Sequence, residues 1–179
     1  MKMVILTTII ILFSLKVTAP VERCLYIERV EKINYYKQFD LFVAHLATKE
    51  SNNRWQVINQ IGCMGKWQIS PGTLRQMGYG HITPQRFRLN PDIFPEELQH
   101  EILLALLKSN EMALKDYFFY CGQTIKGVEI TKSGILAAAH LGGAGGVKRF
   151  LLTMGGVNRQ DVNGTSIKHY LKEFGGYEL

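Results

Sequence analysis

Apolar residues recur at helical spacing through most of the chain. Between Gln38 and Glu50, Phe39, Phe42, Val43, Leu46 and Ala47 fall on one face of a helix. Pro71 to Met77 reads as a short helix ended by Gly78 and Gly80. Pro95 followed by Glu96 and Glu97 is a strong helix start: proline presets the first turn and the acids meet the positive end of the dipole. The next run, Ile102 to Leu107, is apolar on every side, which predicts a buried central helix reaching to about Tyr120. Ser133 to Leu141 forms another helix, closed by Gly142 and Gly143. Gly146 to Met154 and Thr165 to Phe174 complete the set, the last after a turn at Asn163–Gly164. Only Trp55 to Ile61 and Thr124 to Ile130 carry strand signals. The pattern predicts a mostly α single domain of six or seven helices over residues 38–179. Residues 20–37 are mixed and charged, a lead-in segment or short helix.

The first residues follow another rule. Lys2 precedes an apolar run from Val4 to Leu15, and Val17, Thr18 and Ala19 offer a cleavage site before Pro20. The run is short for a membrane span, which needs about 20 residues. Residues 1–19 are therefore expected to be a signal peptide or an uncleaved signal anchor, and the protein to be exported to the periplasm or cell envelope. Export permits disulfides, but three cysteines leave at least one unpaired. Cys63 and Cys121 are expected as isolated thiols packed like small hydrophobes.

Composition adds limits. Of 179 residues, 46% are hydrophobic and 20% charged, which excludes a disordered, collagen-like or multi-span membrane chain. The formal charge of +6 suits an anionic partner without selecting one.

Glu50 is the most informative residue. It lies four positions after Leu46 on the apolar face, where a carboxyl loses hydration and its charged form is disfavoured. That suits a proton donor. The loop that follows contains Gly62-Cys63-Met64-Gly65-Lys66-Trp67-Gln68-Ile69-Ser70-Pro71. Gly62 and Gly65 allow the backbone to approach a ligand, Trp67 offers a flat face to a sugar ring, and Gln68 offers a donor and an acceptor to amide groups.

Together these residues resemble the soluble lytic transglycosylase family, relatives of goose-type lysozyme. That family carries a catalytic Glu followed by Ser, then a Gly-x-x-Gln-apolar-x-Pro element. Glu50-Ser51 and Gly65 to Pro71 match both, and the separation of Glu50 from Gln68 is the one expected of the family. A third family element, Ala-Tyr-Asn-x-Gly, corresponds to Ala139-His140-Leu141-Gly142-Gly143, with His140 replacing the Tyr and Leu141 the Asn. The resemblance covers about residues 38–175 and implies a lysozyme-like fold. It implies Glu50 as catalytic acid, then base, and Ser51, Gly65, Trp67, Gln68, His140 and Tyr170 at the substrate. His140, four residues after Leu136, should face inward, and a charged imidazole beside Glu50 would oppose proton donation.

The implied substrate is the β-1,4 bond between N-acetylmuramic acid and N-acetylglucosamine in peptidoglycan strands, and the implied product a 1,6-anhydro sugar. A hydrolytic muramidase is the alternative. It would need a second carboxylate across the cleft, for which Asp92, Glu96, Glu97 and Asp161 are available. A non-catalytic glycan-binding module is a further alternative. The chain is expected to act as a monomer, without cofactor or metal and without nucleic acid; any envelope or secretion partner is unspecified. His100-Glu101 begins like a zinc-protease motif, but position 104 is Leu. The glycines at 142, 143, 145 and 146 follow a helix rather than a strand, against a dinucleotide loop. Asp161 to Gly164 is too short a match for a calcium loop. Ser51 lacks an evident His–Asp pair, and no helix-turn-helix signature supports DNA binding.

Overall fold

The computed structural model describes residues 20–161 and 163–179. The segment expected to direct export, residues 1–19, lies outside them. The chain divides after Gln38 into two compact units. Helix α1 (Pro20–Ser51) supplies all that is described of the first unit, where the side chains from Arg23 to Lys37 are exposed. The lead-in is thus the start of a 32-residue helix, uninterrupted because neither Gly nor Pro occurs between Val21 and Ser51.

In the second unit α1 continues from Phe39 and buries Phe42, Val43, Leu46 and Ala47. Helix α2 (Pro71–Gln76) starts at Ser70, whose hydroxyl accepts from the Thr73 amide. Helix α3 (Pro84–Leu89) and the 3₁₀ turn Pro91–Ile93 were not expected, although Thr83-Pro84 is a sound cap followed by a first-turn proline. Helix α4 (Glu96–Leu114) runs into a 3₁₀ segment, Lys115–Tyr120. Two-residue strands β1 (Thr124–Ile125) and β2 (Val128–Glu129) pair antiparallel, Thr124 opposite Glu129. Helices α5 (Lys132–Leu152) and α6 (Ile167–Glu173) follow. The protein is mostly helical, with six α-helices among the described residues. None of these is long and apolar enough to cross a membrane. The strand expected over Trp55 to Ile61 is an irregular loop, with Ile58 bridging Met64 and Met64 bridging Ile69.

The buried central helix is not the expected one. Helix α4 buries Ile102, Leu103, Leu107 and Leu114 but exposes Ala105, Lys108 and Ser109, so it is a one-sided helix. The stretch buried on all sides is Ser133 to Ala139 of α5. Small side chains make this possible: a Cβ on Gly134 would lie 2.7 Å from the Leu171 carbonyl oxygen, so α6 rests on the α5 backbone. Leucine content pointed to α4, but a helix enclosed on every side needs neighbours close in, and Gly and Ala permit that. Beyond the enclosed stretch, Gly143 (φ 70°, ψ 158°) breaks the helical path, and a second helical stretch continues α5 to Leu152. That backbone conformation is open to glycine and costly for other residues.

Candidate active site

Glu50 sits in the last turn of α1, its side chain 15% exposed. Tyr170 of α6, itself buried, donates its hydroxyl to Glu50 Oε1 at 2.6 Å. Burial, and next the charge of Glu50, push the Tyr170 hydroxyl far above the ordinary tyrosine range, so it stays a donor. His140 Nε2 lies 3.8 Å from the same Glu50 oxygen, and the imidazole side chain is 4% exposed. That nitrogen is 2.8 Å from the Trp67 carbonyl oxygen. A carbonyl only accepts, so Nε2 carries a proton; in the neutral ring Nδ1 is then an acceptor. Glu50 Oε2 accepts no hydrogen bond among the described residues and is the oxygen left for a ligand.

The loop from Gly62 to Ser70 is tied to three helices. The Ser51 hydroxyl donates to the Lys66 carbonyl at 2.7 Å, and the Trp67 indole donates to the Val43 carbonyl at 3.0 Å, both on α1. The Lys66 amide donates to Gln99 Oε1 of α4 at 2.6 Å, and His140 of α5 holds Trp67 from the other side. Gly65 (φ 82°) has its α-carbon directly over the Gln99 amide, where no side chain fits. Gln68 adopts φ 49°, a left-handed conformation for a non-glycine residue, and its Nε2 donates to the Gly65 carbonyl.

These positions change several expectations. Trp67 is 4% exposed, with Lys66 Nζ 5.3 Å and the His100 ring 5.5 Å from its ring centre, and it borders the cavity of Glu96 and Glu97 rather than the Glu50 cleft. The Ser51 hydroxyl is spent on Lys66, and Gly65 admits Gln99 rather than a ligand. These three residues shape the loop. Glu50, Gln68 and His140 line a common cleft of about 450 Å³, and Tyr170 reaches it through Glu50.

The cleft contains two residues that the sequence reading missed or left unplaced. Asn110, 7% exposed, follows Leu103 and Leu107 on the buried face of α4; a polar residue in that stripe was the available signal. Asp161 lines the cleft as well, its Oδ1 accepting from the Asn163 and Thr165 amides. Glu96 and Glu97 line a different cavity of about 360 Å³, and Asp92 is exposed at the 3₁₀ turn. Gln68 Oε1, Asn110 Nδ2 and His140 Nδ1 are buried and lack hydrogen-bond partners among the described residues. A buried polar atom left unpaired costs about 1–3 kcal/mol, and all three of these belong to residues that line the cleft.

Cys63 also borders the cleft. Burial pushes its thiol up, the Asn59 side chain partly offsets this, and the Glu50 charge adds to it, so the thiol is held protonated and is a poor nucleophile. Cys121 is exposed rather than packed inside, and the described cysteines are free. No group of three metal-ligating side chains occurs among the described residues. No known protein family, curated protein or solved structure matches the chain.

Proposed function

We propose that the protein is a lytic transglycosylase of lysozyme-like fold that cleaves peptidoglycan strands between N-acetylmuramic acid and N-acetylglucosamine. The observation that carries this reading is the surroundings of Glu50: a mostly buried carboxyl, one oxygen held by Tyr170 and 3.8 Å from the His140 imidazole, on a cleft of about 450 Å³ that Gln68 and Asn110 also line. The sequence elements Glu50-Ser51 and Gly65 to Pro71, which resemble the family, support it independently.

The chemistry needs one carboxyl group. Protonated Glu50 gives its proton to the glycosidic oxygen, the C1–O bond breaks, and the N-acetylglucosamine side leaves as an alcohol. The substrate's own acetamido oxygen stabilises the positive charge at C1. Glu50, now a carboxylate steadied by the Tyr170 hydroxyl, takes the proton of the muramic 6-hydroxyl. O6 bonds to C1, which closes the 1,6-anhydro ring without consuming water and returns Glu50 to its starting state. Gln68 and Asn110 line the cleft, and their side-chain amides are of the donor-and-acceptor type that an acetamido group pairs with. Such a substrate lies outside the cytoplasm, in keeping with the signal-like segment at the N-terminus.

Asp161 favours a second reading. It lines the same cleft as Glu50, and a carboxylate there could activate water, which would make the enzyme a muramidase. Mass spectrometry of soluble products from purified peptidoglycan tests both. Anhydro-muropeptides that fall about a hundred- to ten-thousandfold in Glu50→Gln are expected. Reducing-end products with the same dependence would replace the transglycosylase by the hydrolase. Equal turnover by the parent and Glu50→Gln would end both readings.

A further inference from the structure

A second cavity adjoins the cleft. Gly143 lines both, and beyond it a groove of about 620 Å³ runs between α5 and the segment before α6. Its walls carry Arg149 and Arg159. Both are exposed, and neither guanidinium has an ion pair or hydrogen bond among the described residues. The nearest acid in the chain, Asp161, has Oδ1 engaged by two backbone amides of its own loop.

The arginines are held at their bases. Arg149 lies on α5, and the stem of Arg159 crosses Gly146 one turn before it, where a Cβ would come 3.9 Å from Arg159 Cδ. The Arg159 carbonyl accepts from the Ile167 amide at 3.0 Å, and the adjacent Asn158 side chain accepts from the Lys168 amide at 3.0 Å. Both bonds fasten this wall to α6. Between the walls, a Cβ on Gly143 or Gly145 would meet nothing within 4 Å, so the floor is open backbone.

Resting on the transglycosylase reading, we propose that this groove takes a carboxylate of the peptide arm that the glycan strand carries. The strand between the sugars is uncharged once its lactyl group is joined to the peptide. The charge of the substrate then lies on the peptide arms, as free carboxylates. Guanidinium groups bind carboxylates through paired, charge-assisted hydrogen bonds. Two of them without an internal partner, on facing walls next to the cleavage site, give the groove a preference for an anion. The cleft binds the sugar, and the groove selects strands whose arms are charged.

The test compares two substrates: soluble peptidoglycan strands, and the same strands with their peptide carboxylates converted to amides by carbodiimide and ammonium. The parent protein is expected to show a KM about tenfold higher on amidated strands, with kcat unchanged. In Arg149→Gln/Arg159→Gln the KM should be high and equal on both. Arg159→Glu should reverse the order, so that amidated strands are preferred. Both side chains are exposed, and circular dichroism checks that the variants fold. If the parent ignores amidation, or the double variant still discriminates, the groove proposal is overturned while cleavage dependent on Glu50 stands. If the parent cleaves neither substrate, the transglycosylase reading fails and takes the groove proposal with it.

Discussion

The two walls of the cleft are built differently. One wall is the end of α1 with the loop Gly62 to Ser70, pinned by side-chain hydrogen bonds from Ser51, Trp67, Gln99 and His140. The other includes the segment before α6, where half-buried Asp161 lines the cleft and Arg159 and Gln160, just before it in sequence, are exposed. It is held mainly through backbone amides, those of Ile167 on the Arg159 carbonyl, Lys168 on the Asn158 side chain, and Asn163 and Thr165 on Asp161, rather than by side chains reaching in from three helices. The difference teaches where precision is needed. Under the proposed reaction, a carboxyl that delivers and recovers a proton has to be held within a fraction of an ångström, whereas a surface that selects among substrates can vary.

Breaking the pinned wall should have the largest effect. In Gly65→Ala the new methyl meets the Gln99 amide, and the backbone keeps a φ that alanine resists. Gln99 would have to leave, and its bonds to the Trp55 and Phe94 carbonyls and the Lys66 amide would go with it. Strain and lost bonds together should cost about 3–5 kcal/mol in urea unfolding. A loss below about 1 kcal/mol would mean that the loop is not fastened through Gln99.

Tyr170 comes next. Tyr170→Phe removes the donor to Glu50 and leaves a mostly buried carboxyl oxygen without its partner, which should lower stability at neutral pH by about 1–3 kcal/mol. The pH dependence has a definite sign. The folded protein holds the Tyr170 proton more tightly than the unfolded chain, where tyrosine ionises near pH 10. The stabilisation is therefore complete below about pH 10 and falls above it, by up to about 1.4 kcal/mol per pH unit. Tyr177, also pushed up by burial, declines in both proteins, so the difference between parent and variant isolates Tyr170. Parallel stability curves above pH 10 would refute the assignment.

The same contrast explains what the sequence revealed. The pinned wall is local: Glu50 closes a helix whose apolar spacing is plain, and Gly65 and Gln68 lie a short loop away. The positions of His140 and Tyr170 depended on α5 and α6 folding back, which helical spacing could suggest only as an inward face. Trp67 lies against the core, and in the sequence an aromatic in a glycine-rich loop looks the same whether it faces a ligand or the core. The position of Asp161 could not be read at all, since no periodicity places a loop residue. The error over the central helix is of the same kind. The apolar run Ile102 to Leu107 pointed to α4, whereas enclosure was decided by how closely the neighbours could approach Gly134 and the alanines after it.

The wall before α6 gives the smallest and most discriminating effect. Asp161→Asn keeps the side-chain oxygen that accepts from the Asn163 and Thr165 amides, so the turn should survive and stability should change by less than about 0.5 kcal/mol. What changes is the charge that Asp161 brings to the cleft it shares with Glu50. A transglycosylase takes its base from Glu50 itself, so anhydro products should form at nearly the parent rate. A muramidase draws its base from Asp161, and turnover should fall by at least about a hundredfold. Because the substitution removes one charge and leaves the loop in place, a large loss of activity without loss of stability would assign water activation to Asp161. An unchanged product spectrum would leave Glu50 as the one carboxyl the reaction uses.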